Sequence, residues 1–209
     1  MSKEFKILTT LFCILLLAKF SSFAQKTTVR LHSGPNFYFK EGKVIHNADT
    51  FLLDSESGRI GFQVGYGVEF YFNKKCSILL GLEFSKRSVD ETIARNLFET
   101  YESMYMSFPA SLHYEFLPKF KAGFGVQYDY LVHKRPGTYV DFEKEKSWLR
   151  NYDIGLTAGL RYRIGHFELD VSGVYGLLYI VNTMDDSSAS FKETSKARLF
   201  KFGIAWLID

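Results

Sequence analysis

Residues 61–72, GFQVGYGVEFYF, place Phe62, Val64, Tyr66, Val68, Phe70 and Phe72 in one phase of a two-residue repeat, and Gly61, Gln63, Gly65, Gly67 and Glu69 in the other. Successive side chains leave an extended backbone on opposite sides, so this alternation marks a β-strand with two unlike faces. It leaves open which face meets water. A soluble barrel turns its apolar phase inward. A membrane barrel turns it out toward lipid and fills the interior with polar groups.

The N-terminus, MSKEFKILTTLFCILLLAKFSSFAQ, carries Lys3 and Lys6, an apolar run from Ile7 to Ala18, and then Ser22-Phe23-Ala24. A basic head, a short apolar stretch and small residues at the minus-three and minus-one positions predict a secretory signal peptide, residues 1–24, cleaved after Ala24. The apolar run is too short for the ~20 residues that a helix needs to cross a bilayer. Cleavage leaves residues 25–209 nearly neutral, which argues against nucleic acid as a partner, and leaves Cys76 alone, so no internal disulfide forms.

The rest of the chain predicts one all-β domain of eight extended segments, at 27–39, 59–72, 76–88, 100–116, 119–133, 148–164, 166–181 and 196–208. Their connections alternate long and short: 40–58, Asn73-Lys74-Lys75, 89–99, Leu117-Pro118, 134–147, Gly165 and 182–195. Tight turns at one end and longer loops at the other, with both termini on the tight-turn side, are the layout of an eight-stranded antiparallel up-and-down transmembrane β-barrel with periplasmic termini.

The faces decide between the two barrels. One phase of every segment, running through Val29, Phe62, Ile78, Met104, Phe120, Tyr152, Phe167 and Phe200, contains no Asp, Glu, Lys, Arg or His. The other phase holds Arg30, Glu69, Glu83, Glu115, Lys121, Asp129, Asp153, Arg161, Arg163, Glu168, Asp170 and Lys201, together with most strand glycines. The interior of an eight-stranded barrel is only just wide enough for side chains to fill, so it has no room for the large apolar set. A lumen of glycines and paired charges fits. Placing Arg or Lys toward lipid costs ~2–4 kcal/mol at mid-membrane, which accounts for the clean outer phase. Phe37, Phe39, Phe70, Phe72, Tyr114, Phe116, Phe120, Tyr162, Phe167 and Trp206 gather near strand ends, as interfacial girdles require. The twelve charged residues named above are therefore the candidate lumen network, structural in role.

Across residues 25–209 the chain resembles the PorT-like outer-membrane β-barrel proteins, related in architecture to the OmpA-type barrels. The resemblance rests on the leader, on GFQVGYGVEFYF with its short turn into SILLGLEFS, on YMSFPASLHYEF with a proline inside the strand, and on KFKAGFGVQYDYL. It implies location in the outer membrane of a Gram-negative-type envelope, contact with outer-membrane lipid, and a place in a secretion or envelope complex. Two departures stand out: the chain ends in Asp209 rather than an aromatic residue, and GLLYIV is apolar on both phases, which predicts a bulge near Gly176 or a loop packed there.

The leading expectation for function is a non-enzymatic barrel that acts as scaffold or binds a partner through KEGKVIHNADTFLLDSESG, KRSVDETIARNLFE, KRPGTYVDFEKEKS and NTMDDSSASFKETS. A narrow channel and a lipid A-modifying enzyme stand as alternatives. For the latter, Ser111 and His113 on one face are the tempting nucleophile and base, although a histidine holding lumen hydrogen bonds is the plainer reading. Asp185, Asp186 and Glu193 offer oxygen ligands to calcium, but no calcium-loop spacing supports them, so no metal or other cofactor is expected.

Overall fold

The computed structural model describes residues 26–46, 49–53, 58–94, 97–135, 151–186 and 189–208, with side chains at 26–39, 58–88, 102–133, 151–178 and 196–208. The proposed leader and its cleavage site lie outside the described residues. The elements are all strands: β1 (Lys26–His46), β2 (Asp49–Leu53), β3 (Ile60–Tyr71), β4 (Cys76–Ala94), β5 (Leu97–Leu117), β6 (Phe120–Arg135), β7 (Tyr152–Ile164), β8 (Phe167–Asp186) and β9 (Ala189–Ile208).

All neighbours pair antiparallel in chain order, and β1 pairs with β9 from Val29↔Ile208 to His46↔Phe191, which closes the sheet. β2 and β3 both pair with the same side of β1, at Gly42–His46 and Lys26–Phe37, so they fill one position and the ring is an eight-stranded antiparallel barrel. Closure matters because every backbone N–H and C=O in hydrocarbon has to find its partner within the sheet.

At one end the strands join by tight turns. Asn73 Oδ1 accepts from the N–H groups of Lys75 (2.8 Å) and Cys76 (2.7 Å), pinning the β3–β4 turn. Pro118 precedes Lys119 at φ 72° between β5 and β6, and Gly165 at φ 63° opens the turn between β7 and β8. These left-handed positions let two-residue connections reverse the chain. At the other end strand replaces most of the expected loops among the described residues: within 40–58, 89–99 and 182–195, the stretches 40–46, 49–53, 89–94, 97–99, 182–186 and 189–195 lie in antiparallel strands. A spanning strand needs only ~9–11 residues, whereas β5 has 21 and β8 has 20. The surplus stands beyond the barrel body at the hairpin end.

The register shifts at Thr92/Ala94, Met104/Tyr105 and Glu115/Leu117, and three further irregular places in the ladders have identifiable causes. Proline has no N–H to give, and the β1–β9 ladder skips Gly34-Pro35 while the β4–β5 ladder skips Phe108-Pro109. The third is the expected bulge: Tyr175↔Arg198 is followed by Tyr179↔Lys196, so four β8 residues span two of β9 around Gly176.

The wall divides by phase as the alternation predicts. Outward residues such as Phe62 (55 % exposed), Phe124 (61 %) and Leu160 (57 %) form a continuous apolar belt far larger than water-soluble proteins carry. Phe70 departs from the rest, outward in phase yet 2 % exposed. Rings meet at both rims of the belt. Phe120 contacts Phe116 and Tyr162 at 6.3 and 4.3 Å near the turns, and Tyr128 contacts Phe108 and Tyr152 at 6.2 Å toward the hairpins. From Phe120 to Tyr130 a strand tilted ~40° climbs roughly 26 Å, matching an apolar band of ~25 Å.

Phe124→Arg is expected to destabilise the barrel by about 2–4 kcal/mol, and Phe124→Leu by under about 1 kcal/mol, in a urea refolding titration in phospholipid vesicles. Equal effects of the two substitutions would mean that this wall does not face hydrocarbon.

Candidate functional site

The inward phase builds two layers of charge across the lumen. Nearer the tight turns, Arg30 on β1, Arg161 on β7 and Lys121 on β6 face Glu69 on β3 and Glu168 and Asp170 on β8. Arg30 lies 2.7 Å from Glu168 and 3.9 Å from Asp170, and Arg161 lies 2.9 Å from Asp170 and 3.7 Å from Glu168. Lys121 Nζ donates to Glu69 (3.0 Å) and to the Tyr71 hydroxyl (2.6 Å), and Ser77 Oγ donates to Glu69 (2.5 Å). Cations and anions interleave, so each buried charge has a neighbour of opposite sign. Such pairing is the condition for keeping ionised groups out of water.

The second layer sits toward the hairpins. Lys201 on β9 donates to Glu83 (2.6 Å) and to Gln127 Oε1 (2.7 Å), and His32 Nε2 lies 3.3 Å from Glu83. Gln127 passes the chain on to Asp129 (2.7 Å), which also accepts from Arg87 Nη1 (2.9 Å). Arg87 further donates to Ser85 (3.2 Å) and Ser107 (3.3 Å), and its guanidinium lies 4.2 Å from the Tyr105 ring centroid. Tyr38, Val174, Ala197 and Leu199 form an apolar cluster at the hairpin side of the lumen.

Between the layers lies a cavity of about 50 Å³, bordered by Arg30, His32, Glu83, His113, Arg161 and Lys201 and by Gly67, Gly81, Gly123 and Gly159. That volume holds a few waters at ~10–15 Å³ each. Glycines at 67, 81, 123 and 159 border this space. A Cβ on Gly123 would meet the His113 ring at 2.1 Å, whereas one on Gly125 would meet the Ala110 carbonyl oxygen at 2.1 Å and the Ser111 Cα at 2.5 Å.

Of the twelve charged residues picked out from the sequence, Arg30, Glu69, Glu83, Lys121, Asp129, Arg161, Glu168, Asp170 and Lys201 meet in these two layers. Glu115, Asp153 and Arg163 have backbone partners nearer the strand ends. Glu115 accepts from the Lys119 N–H at 3.1 Å beside a turn, and Arg163 Nε donates to the Gly165 carbonyl at 3.0 Å. Asp153 accepts from the N–H groups of Ile154 (2.7 Å) and Leu178 (3.4 Å), the latter inside the bulge. Arg87 is the member that sequence reasoning missed: it lies at the end of the expected strand 76–88, but the stretch KRSVDETIARNLFE was also read as an external surface, and Arg87 was left out of the lumen set. His32, Gln63 and Gln127 share the inward phase and, being uncharged in the sequence count, were passed over as well.

Ser111 Oγ and His113 Nε2 are 2.6 Å apart, but both are buried and His113 Nδ1 has no hydrogen-bond partner. The pair therefore lacks the third group that orients a base, and it faces the lumen rather than the lipid. The side chains of Asp185, Asp186 and Glu193 lie outside the described residues.

Residues 23–182 match the outer membrane protein beta-barrel domain family. The chain belongs to that family. Membership places the barrel in the outer membrane with lipid around its apolar belt. The crystal structure of OprG from Pseudomonas aeruginosa, itself an outer membrane protein, superposes with TM-score 0.54 at 9 % identity over 88 % of this chain and 97 % of OprG, a likeness of fold. AlkL, solved by solid-state NMR in DMPC lipid bilayers, gives TM-score 0.47 at 13 % identity, covering 90 % of this chain and 92 % of its own. Ail of Yersinia pestis gives 0.37 at 14 %, with 85 % and 98 % covered. No curated protein sequence matches this outer-membrane barrel.

Two lumen substitutions test the network. Lys201→Met strands the Glu83 carboxylate and is expected to cost about 3–5 kcal/mol, most of it recovered when Glu83→Gln is added; refolding titrations of the single and double variants measure both. Gly123→Ala is expected to destabilise and to be rescued by His113→Ala, whereas Gly125→Ala, blocked by backbone, is not rescued by His113→Ala.

Proposed function

We propose that this barrel is a PorT-like, non-enzymatic outer-membrane scaffold, with its termini and tight turns in the periplasm and its hairpins outside, that engages an envelope or secretion-complex protein. The observation that carries this reading is the lumen itself: two ion-paired layers of side chains cross it, with a cavity of about 50 Å³ between them. A barrel with a filled interior has its body and its protruding strands to offer a partner. The length of β4, β5, β8 and β9 beyond what a bilayer needs gives that partner a rigid surface instead of loose loops. The buried Ser111–His113 pair, without an orienting acid, supports the absence of a hydrolytic role.

One observation favours a second reading. The cavity between the layers is bordered by Arg30, His32, Glu83, Arg161 and Lys201 and holds a few waters, so a narrow conductance follows if the layers on either side open.

Crosslinking in intact envelopes followed by capture of the barrel is expected to bring down a discrete partner, and a variant with residues 89–101 replaced by a tight turn is expected to lose it. Equal capture by both forms would move the contact away from that hairpin. No partner together with sustained single-channel steps in a planar bilayer would replace the scaffold reading with the channel.

A further inference from the structure

The cavity between the two charged layers has a wall whose spare hydrogen-bonding capacity is mostly of one kind. Arg30, Arg161 and His113 border it at 3 %, 7 % and 4 % exposure, and Arg30 Nε, Arg161 Nη1 and His113 Nδ1 have no hydrogen-bond partner. A guanidinium nitrogen can only donate. His113 Nδ1 becomes a donor through its neighbour. Ser111 Oγ is 2.6 Å from His113 Nε2, and among the described residues that hydroxyl has no other acceptor. Ser111 therefore donates to Nε2, and the ring proton is assigned to Nδ1.

The carboxylates on the same wall are already engaged. Glu83 Oε2 accepts from Lys201 at 2.6 Å, and Glu83 Oε1 lies 3.3 Å from His32 Nε2. Asp170 accepts from Arg161 Nε at 2.9 Å and from Ser172 at 3.3 Å. Among the described residues, Gln63 Oε1 and the His32 ring nitrogens complete the unpartnered groups on the wall, with Arg30 Nη2 held to Glu168 by charge at 2.7 Å. The charges lean the same way. Arg30, Arg161 and Lys201 border the cavity against Glu83 and Asp170, whereas Glu69 and Glu168, which balance the turn-side layer, do not border it.

The donor excess discriminates between occupants. A water set against these nitrogens accepts from them but must then place its own two hydrogens, and the wall offers few acceptors. An anion accepts from all three donors and has nothing to donate. Burying an ion requires both opposite charge and hydrogen bonds, and this wall supplies both. The cavity of about 50 Å³ admits a monatomic ion with a water or two at ~10–15 Å³ each, and it shuts out organic anions.

We propose that the chamber binds one small monovalent anion of the halide class, chloride in size, through Arg30, Arg161 and His113. The site is internal, so it stands or falls independently of any partner at the hairpins.

The test compares sodium chloride with sodium gluconate at equal ionic strength in refolding titrations of the barrel in phosphatidylcholine vesicles, so that screening is the same and only chloride fits the cavity. An ion that binds the folded barrel alone lowers the unfolding constant by one plus its concentration over Kd, so about 100 mM chloride is expected to lower it about tenfold for a Kd of about 10 mM. His113→Leu removes one donor and no ion pair. It is expected to weaken binding about tenfold and to bring the chloride response down to about twofold. Glu115→Gln, outside the two layers, is expected to keep the full response. Crystals of the detergent-solubilised barrel grown in bromide are expected to show one anomalous peak in the chamber beside Arg30, Arg161 and His113. Water in that place, equal unfolding constants in chloride and gluconate, or a full chloride response in His113→Leu would each overturn the site. Should His113→Leu fail to fold, the bromide peak and the wild-type comparison decide alone.

Discussion

Closure of β1 on β9 is the constraint on which the rest of this molecule depends. In hydrocarbon an unpaired backbone N–H or C=O costs several kcal/mol, so an open sheet edge is not tolerated. The β1–β9 ladder removes the edge, and Pro35, Pro109 and the Gly176 bulge account for three of the places where ladders are interrupted. Closing eight strands also sets a narrow lumen. Both faces of the sheet then have their composition prescribed: apolar and bulky outside, small or ion-paired inside.

The lumen answers the second demand with balanced charge. Arg30, Arg161 and Lys121 interleave with Glu69, Glu168 and Asp170, while Lys201 and Arg87 are tied to Glu83 and Asp129 through Gln127. Such a network contributes less through any one ion pair than through the absence of an uncompensated charge. It also links strands far apart in sequence, since Lys201 of β9 reaches Glu83 of β4 across the barrel. Glycines at 67, 81, 123 and 159 set the spacing between layers and leave the chamber.

On the outer wall the apolar belt and its aromatic rims set the depth of every residue relative to the bilayer. The hairpins rise beyond the belt on continuous ladders, so the surface they present is held by the same hydrogen bonds as the barrel.

The sequence by itself determined the strand number, the direction of each face, the tight-turn end, the bulge near Gly176 and most of the inward charges. All of these follow from local rules, namely the alternation of side chains along a strand and the chemistry of turns. Tertiary structure alone decided where the strands end. Polar residues past the belt carry no apolar alternation, so 40–58, 89–99 and 182–195 read as loops, and only cross-strand pairing makes them hairpins. Which charges meet depends on register around the closed ring, a long-range property: Val29↔Ile208 and Tyr175↔Arg198 place side chains together that the chain keeps far apart.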